Sequence, residues 1–452
     1  MWLQRYQKLI AYVFGSLIFL AIGIYDGYPL LNSDSNTYIN SGFGLFVPTD
    51  RPIVYGLFLL ITSLGWTLWL SVIIQAVLLN LLLYRFFENK VGEGKVWWYL
   101  LIVCILSAGT TASWYASMIM PDAFTAVLGL ALLNLYCNTN SRKQQLFYII
   151  IAFFVALTHN SHLIALTLFS LLMFFLFLFI RNHKNVLKKS RTLLLASVIA
   201  WLVTCLINLA GGNSFTPSKM TPIFLVGKFG ENGLLTAYLK ENCDQKHYTL
   251  CNYQDYFPQP AFAFLWFDDS PLQKSGGWDK NRHECANIVD DIVTRPRYLF
   301  KWAFLGVDDM MHEVMMTELD GWYCMPWCKF DQETAVYKAI KEHMGDAEVK
   351  HMIDSKQNTV KLNTLFFNNA TKFVILITSL AVVLLAMRRG NKELLYIYSV
   401  LMVFLLLNAY VVANFANVLD RLNSRVIWLL AAINMIMICN MLTKNKSLVA
   451  NE

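Results

Sequence analysis

The chain has 452 residues, of which 56% are hydrophobic and 15% are charged, and its formal net charge is +7. A water-soluble globular protein covers its surface with polar groups, so this composition, with a mean hydropathy of +0.45, excludes that class. It predicts an all-α polytopic membrane protein, because the apolar runs are continuous and lack the alternation of membrane-spanning strands. The small excess of positive charge fits residues that anchor cytoplasmic loops and gives no basis for a nucleic-acid partner.

Seven of about ten predicted membrane spans lie in an N-terminal transmembrane module, residues 1–210, and basic residues set their direction. Arg5 and Lys8 precede the first span and place the N-terminus in the cytoplasm, and no small-residue cleavage site follows that span. The short apolar segment 51–65, in the first outer loop, predicts a helix at the membrane interface. The spans are predicted near 9–25, 66–86, 96–115 and 121–137, twice within 144–180, and near 192–210.

The remaining chain divides into a large polar segment and a C-terminal transmembrane module. Residues 211–365 predict a mostly helical extracytoplasmic lobe, because aromatic and aliphatic side chains are dense there and 295–316 has helical spacing. In this topology every basic cluster between spans is cytoplasmic, as are both termini, and the predicted location is the bacterial cytoplasmic (inner) membrane. The last module, residues 366–452, carries about three spans, near 367–387, 393–413 and 426–442.

Five of the nine cysteines fall in the large polar segment. An extracytoplasmic location permits disulfides there. The closest local pairs are Cys243 with Cys251 and Cys324 with Cys328, although the sequence leaves the connectivity open. A zinc site at the "CMPWC" segment, 324–328, is the rival interpretation, but no second ligand pair with zinc spacing accompanies it.

Ionisable residues that are far apart in the sequence all fall at the outer edge of the membrane in this topology. Charged groups at membrane depth are costly and face a cavity or a partner, so their gathering at one depth predicts a single functional site. The residues are Asp34, Arg51, Asp122, His159, His162, Asp420, Arg421 and Arg425.

Structural roles compete with functional ones for these residues. Asp34 could cap the short helix that follows it, and Asp122 comes just after Pro121 at the first turn of a helix, where its charge complements the helix dipole. Arg421 and Arg425 share a helix face, and arginines near helix ends often extend to lipid head groups. Their position on the outer side runs against the positive-inside trend and favours an anionic ligand such as phosphate.

The first 180 residues resemble a known family in pattern and spacing. Asp34 in the first outer loop, "RPIVYGLFLLITSLGWTLWLSVIIQAVLLNLLLYRFF" at 51–87 and "MPDAF" at 120–124 are similar to features of the GT-C superfamily of membrane glycosyltransferases. That superfamily includes the protein O-mannosyltransferases, the aminoarabinose transferases and the oligosaccharyltransferases. Many members carry two adjacent acidic residues in the first loop, whereas Asp34 stands alone here.

The resemblance implies transfer of a sugar from a polyprenyl-phosphate-linked donor to a glycan, lipid or protein acceptor at the outer face of the membrane. Such chemistry needs a carboxylate that activates the acceptor hydroxyl, and cationic or donor groups that hold the leaving phosphate. Asp34 is the predicted base, and Asp122 is predicted to orient the sugar, the acceptor or a divalent metal ion, although no cofactor is certain. The predicted substrate-binding residues are Tyr38, Arg51, His159, His162, Arg421 and Arg425.

The sequence leaves two other classes of function open. A membrane O-acyltransferase would use His159 or His162, which are three residues apart and share a helix face, as the base on an acyl donor. Substitution of each histidine separately from Asp34 distinguishes the two enzymes. A transporter or lipid-handling protein without catalysis predicts charges in the middle of the membrane and a pathway to both sides.

Overall fold

The computed structural model describes residues 2–179, 184–319, 329–360, 362–387 and 392–449. Within these ranges the chain forms 23 α-helices and one short 3₁₀ helix, and it has no β-sheet. The predicted all-α class is therefore confirmed. The physical reason is that a backbone which crosses hydrocarbon must satisfy its own hydrogen bonds, and a continuous apolar run does so as a helix.

The N-terminal module has a helix at each of its predicted spans. The first predicted span is divided into two helices, α1 and α2, which separate at Leu20. The third is shortened, because Thr110 adopts an extended backbone conformation and ends α6. The helices are α1 (Trp2–Phe19), α2 (Ala21–Asp26), α3 (Ser35–Gly44), α4 (Val54–Ser63), α5 (Leu68–Val91), α6 (Val96–Gly109), α7 (Ala112–Ala116), α8 (Ala123–Cys137), α9 (Arg142–Thr158), α10 (Asn160–Leu178) and α11 (Lys184–Ala210).

The rest of the described chain is also helical. The large polar segment contains α12 (Thr221–Glu231), α13 (Leu234–Lys246), the 3₁₀ helix Thr249–Tyr256, α14 (Ala261–Trp266), α15 (Pro271–Lys274), α16 (Gly277–Thr294), α17 (Pro296–Met315), α18 (Ala335–Met344), α19 (Asp346–Asp354) and α20 (Lys356–Thr359). The C-terminal module contains α21 (Thr364–Met387), α22 (Lys392–Phe415) and α23 (Asp420–Val449).

Six helices of the described chain are long and apolar enough to cross a bilayer. They are α5, α10, α11, α21, α22 and the Asp420–Thr443 part of α23, and they indicate a multi-pass membrane protein. Shorter apolar helices occur at Tyr6–Phe19, Val54–Ser63, Val96–Gly109 and Ala123–Cys137. The second of these, α4, coincides with the segment predicted to lie at the interface.

The large polar segment is mostly helical, as predicted, but its helices pack in two groups. Helices α12 to α17 surround a core of their own, which includes Phe229, Tyr238 and Phe264. Helices α18 and α19 instead contribute buried side chains such as Val336, Ile340 and Val349 to the core of the membrane bundle, and the short α20 follows them. The second group therefore belongs with the bundle in packing, although it lies in the polar part of the sequence.

Two polar side chains of this second group fix it against the start of the bundle. The Glu348 carboxylate accepts hydrogen bonds from the Leu68 amide at 2.9 Å and the Tyr28 hydroxyl at 3.0 Å. A carboxylate at the first turn of α5 also complements the dipole of that helix. The side-chain amide of Gln357 bonds both backbone groups of Leu31, at 2.9 and 2.7 Å. These contacts hold the first loop, which carries Asp34, in a defined position.

Helices α3 and α4 approach each other at two glycines. A Cβ atom on Gly42 would collide with the backbone of Gly56, and one on Gly56 would lie 2.6 Å from the Tyr38 carbonyl oxygen. Only glycine allows the two backbones to approach this closely. The crossing places Asp34, just before α3, beside Arg51, just before α4.

A disulfide joins Cys243 to Cys251 and so connects α13 to the 3₁₀ helix that follows it. This is one of the two predicted local pairs, and the bond is confirmed. Cys285 is a free and buried thiol. Cys324 and Cys328 lie outside the described residues, so both their predicted disulfide and the rival zinc site stay predictions.

Candidate functional site

The eight residues predicted to be catalytic or to bind substrate lie together at one end of the helical bundle. We call them the site cluster; they are Asp34, Tyr38, Arg51, Asp122, His159, His162, Arg421 and Arg425. Asp420, which was expected at the same edge, turns away, because its carboxylate accepts a hydrogen bond from the Glu318 amide at 3.0 Å. The structure therefore brings together seven of the eight ionisable residues that were expected to converge, together with Tyr38, whereas Asp420 contacts the neighbouring lobe.

Backbone hydrogen bonds join the two loops that carry the carboxylates. The Leu30 amide donates to the Ser117 carbonyl at 2.9 Å, and the Ile119 amide donates to the Leu30 carbonyl at 2.8 Å. This short bridge is parallel and stands outside any sheet. It brings the loop that contains Asp34 beside the loop that leads to Asp122.

Asp34 occupies the N-cap position of α3, yet its side chain makes no capping hydrogen bond. The side-chain oxygen of Asn32 accepts from the Asp34 amide at 3.1 Å, so the local turn forms without the carboxylate. The Asp34 carboxylate instead faces two guanidinium groups. Oδ1 lies 3.3 Å from Nη1 of Arg51, and Oδ2 lies 3.6 Å from Nη2 of Arg421. The structure thus decides against capping as the role of this side chain.

The environment of Asp34 keeps it ionised. Burial acts to raise the pKa of the Asp34 carboxyl, but the charges of Arg51 and Arg421 outweigh burial and lower the pKa below its ordinary value. The side chain is nevertheless 35% exposed. A bound molecule can therefore reach an ionised carboxylate here.

Arg51 is held from three sides. Its Nη2 lies 2.8 Å from Oδ2 of Asp50, and its guanidinium carbon lies 5.3 Å from the centre of the Tyr38 ring. The Tyr38 ring is buried and packs edge-on against Tyr55, with the ring centres 5.1 Å apart. A guanidinium over an aromatic face is attracted by the negative charge of that face. Arg51 is thus positioned firmly next to Asp34.

Asp122 and Arg425 form a buried ion pair. Asp122 stands at the N-cap of α8 without a side-chain capping bond, and its Oδ1 lies 3.1 Å from Nη1 of Arg425. Both side chains are almost fully buried, with 3% and 2% of their surface exposed. Nη2 of Arg425 also reaches Ser161 at 3.4 Å and the side-chain oxygen of Asn408 at 3.5 Å. The arginine therefore links α8, α10 and α22.

Three nitrogen atoms of the two α23 arginines have no hydrogen-bond partner. They are buried Nε and Nη1 of Arg421 and Nε of Arg425. The first turn of α23 cannot turn away to relieve them, because the Tyr115 hydroxyl donates to the Arg421 carbonyl and the Thr111 hydroxyl donates to the Ser424 carbonyl. An unsatisfied buried donor costs about 1–3 kcal/mol, and more when charged. An anion with several acceptor oxygens would remove this cost.

The two histidines offer hydrogen bonds and no charge. His162 has Nε2 at 2.8 Å from the Thr125 hydroxyl and Nδ1 at 3.2 Å from the Thr158 hydroxyl. His159, between α9 and α10, accepts from the Ser161 amide through Nδ1 at 3.1 Å. Burial, with the nearby Arg425, lowers the pKa of His159 to about 3. His159 is therefore neutral at physiological pH, and it could hold a phosphate only by a hydrogen bond.

Glu313 is a residue near the site that the sequence did not single out. It is fully buried on α17, its Oε2 accepts from the Leu419 amide at 2.9 Å, and its Oε1 has no hydrogen-bond partner. Burial raises the pKa of Glu313 to about 8, against the opposing effects of the Leu419 hydrogen bond and Arg425. Glu313 follows Gly306 by seven residues and shares its buried helix face. This spacing is the sequence signal that could have identified Glu313 as a buried residue. Its contact fixes the loop that leads into α23 and hence to Arg421.

Glu313 predicts a pH dependence of stability. The folded chain binds the Glu313 proton more tightly than the unfolded chain, so the free energy of unfolding should fall as pH rises from 4.5 to about 8. The slope is at most about 1.4 kcal/mol for each pH unit. Glu313→Gln keeps a neutral acceptor for the Leu419 amide and removes this contribution. The measurement is thermal unfolding of both proteins in detergent across that pH range.

The control for this prediction is a glutamate with no buried contact. Glu342 is exposed on α18, and Glu342→Gln makes the same chemical change without removing a buried carboxyl group. The stability difference between Glu313→Gln and wild type should grow with pH up to about 8. If the stability of Glu313→Gln and that of the wild type changed with pH in parallel, the pKa of Glu313 would be the same in the folded and the unfolded chain, and the prediction would be wrong.

Metal binding finds little support in the part of the chain that the structure describes. No group of three or more His, Cys, Asp or Glu side chains there is placed to hold a metal ion. Asp34 and Asp122 each have an arginine as ionic partner. A divalent ion between them would have to displace guanidinium groups. The arrangement is better suited to an anion, which would share the arginines with the carboxylates.

Comparison of the chain with protein-family models, with curated proteins and with solved structures finds no match.

Proposed function

We propose that the protein is a membrane glycosyltransferase that moves a sugar from a polyprenyl-phosphate-linked donor to a glycan, lipid or protein acceptor. One observation carries the proposal. An ionised carboxylate, Asp34, stands beside Arg421, whose buried Nε and Nη1 lack partners, at the end of a membrane bundle. A carboxylate next to a receptor for phosphate is what transfer from a lipid phosphate requires.

The topology of the proposal is the ten-span arrangement with both termini in the cytoplasm. In that arrangement the site cluster faces the outer side of the bacterial cytoplasmic membrane. Each of the ten span positions coincides with helical structure in the described chain, which supports the arrangement. The similarity of 1–180 to the GT-C superfamily is part of the same proposal. A polyprenyl donor suits a site at the membrane edge, because the lipid chain stays in the bilayer while its phosphate reaches the arginines.

The proposed step divides the work between the carboxylate and the arginines. The acceptor hydroxyl gives its proton to Asp34 as its oxygen bonds to the anomeric carbon of the sugar. The bond from that carbon to the phosphate oxygen breaks, and the phosphate leaves with the electron pair. Arg421 and Arg425 hold the developing negative charge through their unpartnered nitrogens. Asp122 keeps Arg425 in place through their buried ion pair.

Arg421 also connects donor binding to the strength of the base. In the free protein its charge is one of the causes that lower the pKa of Asp34. A phosphate that binds Arg421 would offset part of this charge and raise the pKa of Asp34. A base is more effective as its pKa approaches the working pH. Donor binding would thus strengthen the base when it is needed.

The acyltransferase interpretation gains no comparable support. Both ring nitrogens of His162 are engaged with threonine hydroxyls. Nδ1 of His159 accepts a backbone amide, and the lowered pKa of this residue makes it a weak base. Neither histidine has the properties of a general base that works near neutral pH.

The direct test of the proposal uses the full chain in lipid nanodiscs. Polyprenyl-phosphate-linked hexoses, pentoses and N-acetylhexosamines are supplied singly with an extract of cell-envelope glycans and lipids. Mass spectrometry follows the release of polyprenyl phosphate and the gain of one sugar by an acceptor. The proposal expects release from one donor that depends on the acceptor. If no donor is consumed and polyprenyl phosphate does not bind, the proposal is wrong.

Arg421→Gln predicts a specific loss of donor binding. A hydrogen bond to a charged group contributes about 1.5–3 kcal/mol, so the dissociation constant for polyprenyl phosphate should rise about 10- to 150-fold. The matched control is Arg297→Gln, in the lobe, where the arginine is exposed and pairs with Glu241 at 2.9 Å. Its affinity should equal that of the wild type. Equal affinities for all three proteins would remove Arg421 from the binding site.

A further inference from the structure

A row of exposed apolar side chains runs along α17, and we call it the apolar stripe. Its members are Phe300, Phe304, Val307, Met311 and Met315, which are spaced by three or four residues and therefore share one helix face. Phe304 is 78% exposed, and Phe300 and Met315 are each 73% exposed. A contiguous row of large apolar side chains on a protein surface marks a site of interaction.

The opposite face of α17 is fixed to the end of a membrane span. The Trp302 ring packs against Phe415, the last residue of α22, with the ring centres 5.5 Å apart. The Gly306 carbonyl accepts from the side-chain amide of Asn414 at 3.1 Å. A Cβ atom on Gly306 would collide with Asn414, so the glycine is needed for this close approach. The apolar stripe therefore cannot turn inward without loss of these contacts.

The C-terminal part of α17 reaches a second membrane span. The Asn423 side chain, in the first turn of α23, donates to the carbonyls of Val314 at 3.0 Å and Met316 at 2.7 Å. Helix α17 thus runs across the ends of α22 and α23. Helices α22 and α23 are candidate membrane spans, and in the proposed ten-span arrangement these ends are where they would leave the hydrocarbon of a bilayer.

A polar row borders the apolar stripe on one side. It consists of Lys301, Asp308 and His312, all exposed, and Nδ1 of His312 lies 3.8 Å from Oδ2 of Asp308. Helix α17 therefore presents three kinds of surface: one packed on the protein, one apolar and one polar. An apolar face beside a charged face is the arrangement of helices that lie in the plane of a membrane interface.

We infer that α17 lies in the membrane interface, with the apolar stripe among lipid acyl chains and the polar row among head groups and water. Helix α17 is packed directly on the ends of the candidate spans α22 and α23. For this reason we assign the lipid bilayer, and not a second copy of the chain, as the partner that covers the apolar stripe. The inference does not depend on the proposed reaction. Helix α17 also carries Glu313, and the hydrogen bond from the Leu419 amide to Glu313 fixes the loop that precedes Arg421. Contact with the bilayer would then help to hold the site cluster.

Photo-cross-linking tests this inference in the full chain. The photoreactive residue p-benzoylphenylalanine replaces Phe304, Asp308 or Phe373, one at a time, and each protein is placed in vesicles of phosphatidylcholine and phosphatidylglycerol. Phe373 is the positive control, because it is 63% exposed on the candidate span α21. After irradiation, mass spectrometry identifies what is attached at each position.

The expected result is lipid adducts at positions 304 and 373 in similar yield, with a yield at 308 that is at least several-fold lower. Two results would overturn the inference. One is the absence of lipid adducts at 304 while they form at 373. The other is a cross-link from 304 to a second copy of the chain, which would make the apolar stripe a contact between protomers.

Discussion

Asp34→Asn is expected to lower sugar transfer about 10²- to 10⁴-fold, the usual contribution of a general base. The amide has nearly the shape of the carboxylate but cannot accept the proton of the acceptor hydroxyl. The variant should fold normally, because the turn before α3 is closed by Asn32 and not by Asp34. The measurement is the rate of polyprenyl-phosphate release in nanodiscs, with thermal unfolding as the check on folding.

Asp50→Asn separates the loss of a base from the loss of a charge. Asp50 also contacts Arg51, at 2.8 Å, so its substitution changes the local charge by the same amount as Asp34→Asn. It should cost far less activity, because Asp50 is not the proposed base. Equal losses from the two substitutions would mean that the charge balance around Arg51 matters, and that Asp34 is not the base.

Arg425→Met is expected to be the most destabilising of these substitutions, by about 3–5 kcal/mol, because it removes the hydrogen-bonded ionic partner of the buried Asp122 and leaves only the charge of the nearby Arg421 to offset it. Both side chains of the pair are almost fully buried, so solvent cannot take the place of the missing guanidinium. Asp122→Asn should also destabilise, since it leaves Arg425 without its carboxylate. Chemical or thermal denaturation in detergent gives the differences.

The double variant, with Arg425→Met and Asp122→Asn together, should recover much of this stability without recovering transfer. Removal of both charges leaves no uncompensated ion, and a buried pair contributes little net stability over neutral side chains. The matched control is the exposed Arg297–Glu241 pair, whose removal should change stability much less than removal of a buried partner does. A single-variant cost as small as that of the control would show that Asp122 and Arg425 are not a buried pair in the membrane.

The site cluster shows how much of a functional site membrane topology alone can predict. Its members come from the first loop, the start of α8, the junction of α9 and α10, and the first turns of α23. The distribution of basic residues placed all of them at one edge of the membrane, and the structure brings them together. What topology could not provide was the pairing. Asp34 with Arg51 and Arg421, and Asp122 with Arg425, follow from loop contacts that bring together residues far apart in the chain.

The capping question illustrates the same limit. In sequence, Asp34 is well placed to cap α3, and nothing local excludes it. In the structure, the Asn32 side chain accepts the hydrogen bond that closes the turn before α3, and guanidinium groups pair with the Asp34 carboxylate. Asn32, which closes the turn, is two residues from Asp34, whereas Arg421, which pairs with the carboxylate, is far along the chain. Local propensity therefore could not decide between the two roles.

The sequence by itself determined the class of protein, the all-α fold and the approximate position of each apolar helix, and it named Cys243–Cys251 as one of two candidate disulfides. These features depend on hydrophobicity, charge and short-range spacing, which are local properties of the chain. The tertiary structure alone decided that α18 and α19 pack with the bundle, that Glu313 supports the loop before α23, and that three arginine nitrogens lack partners. These features depend on which distant surfaces meet, because burial and pairing set the energy of a polar group and neither is a property of the residue alone.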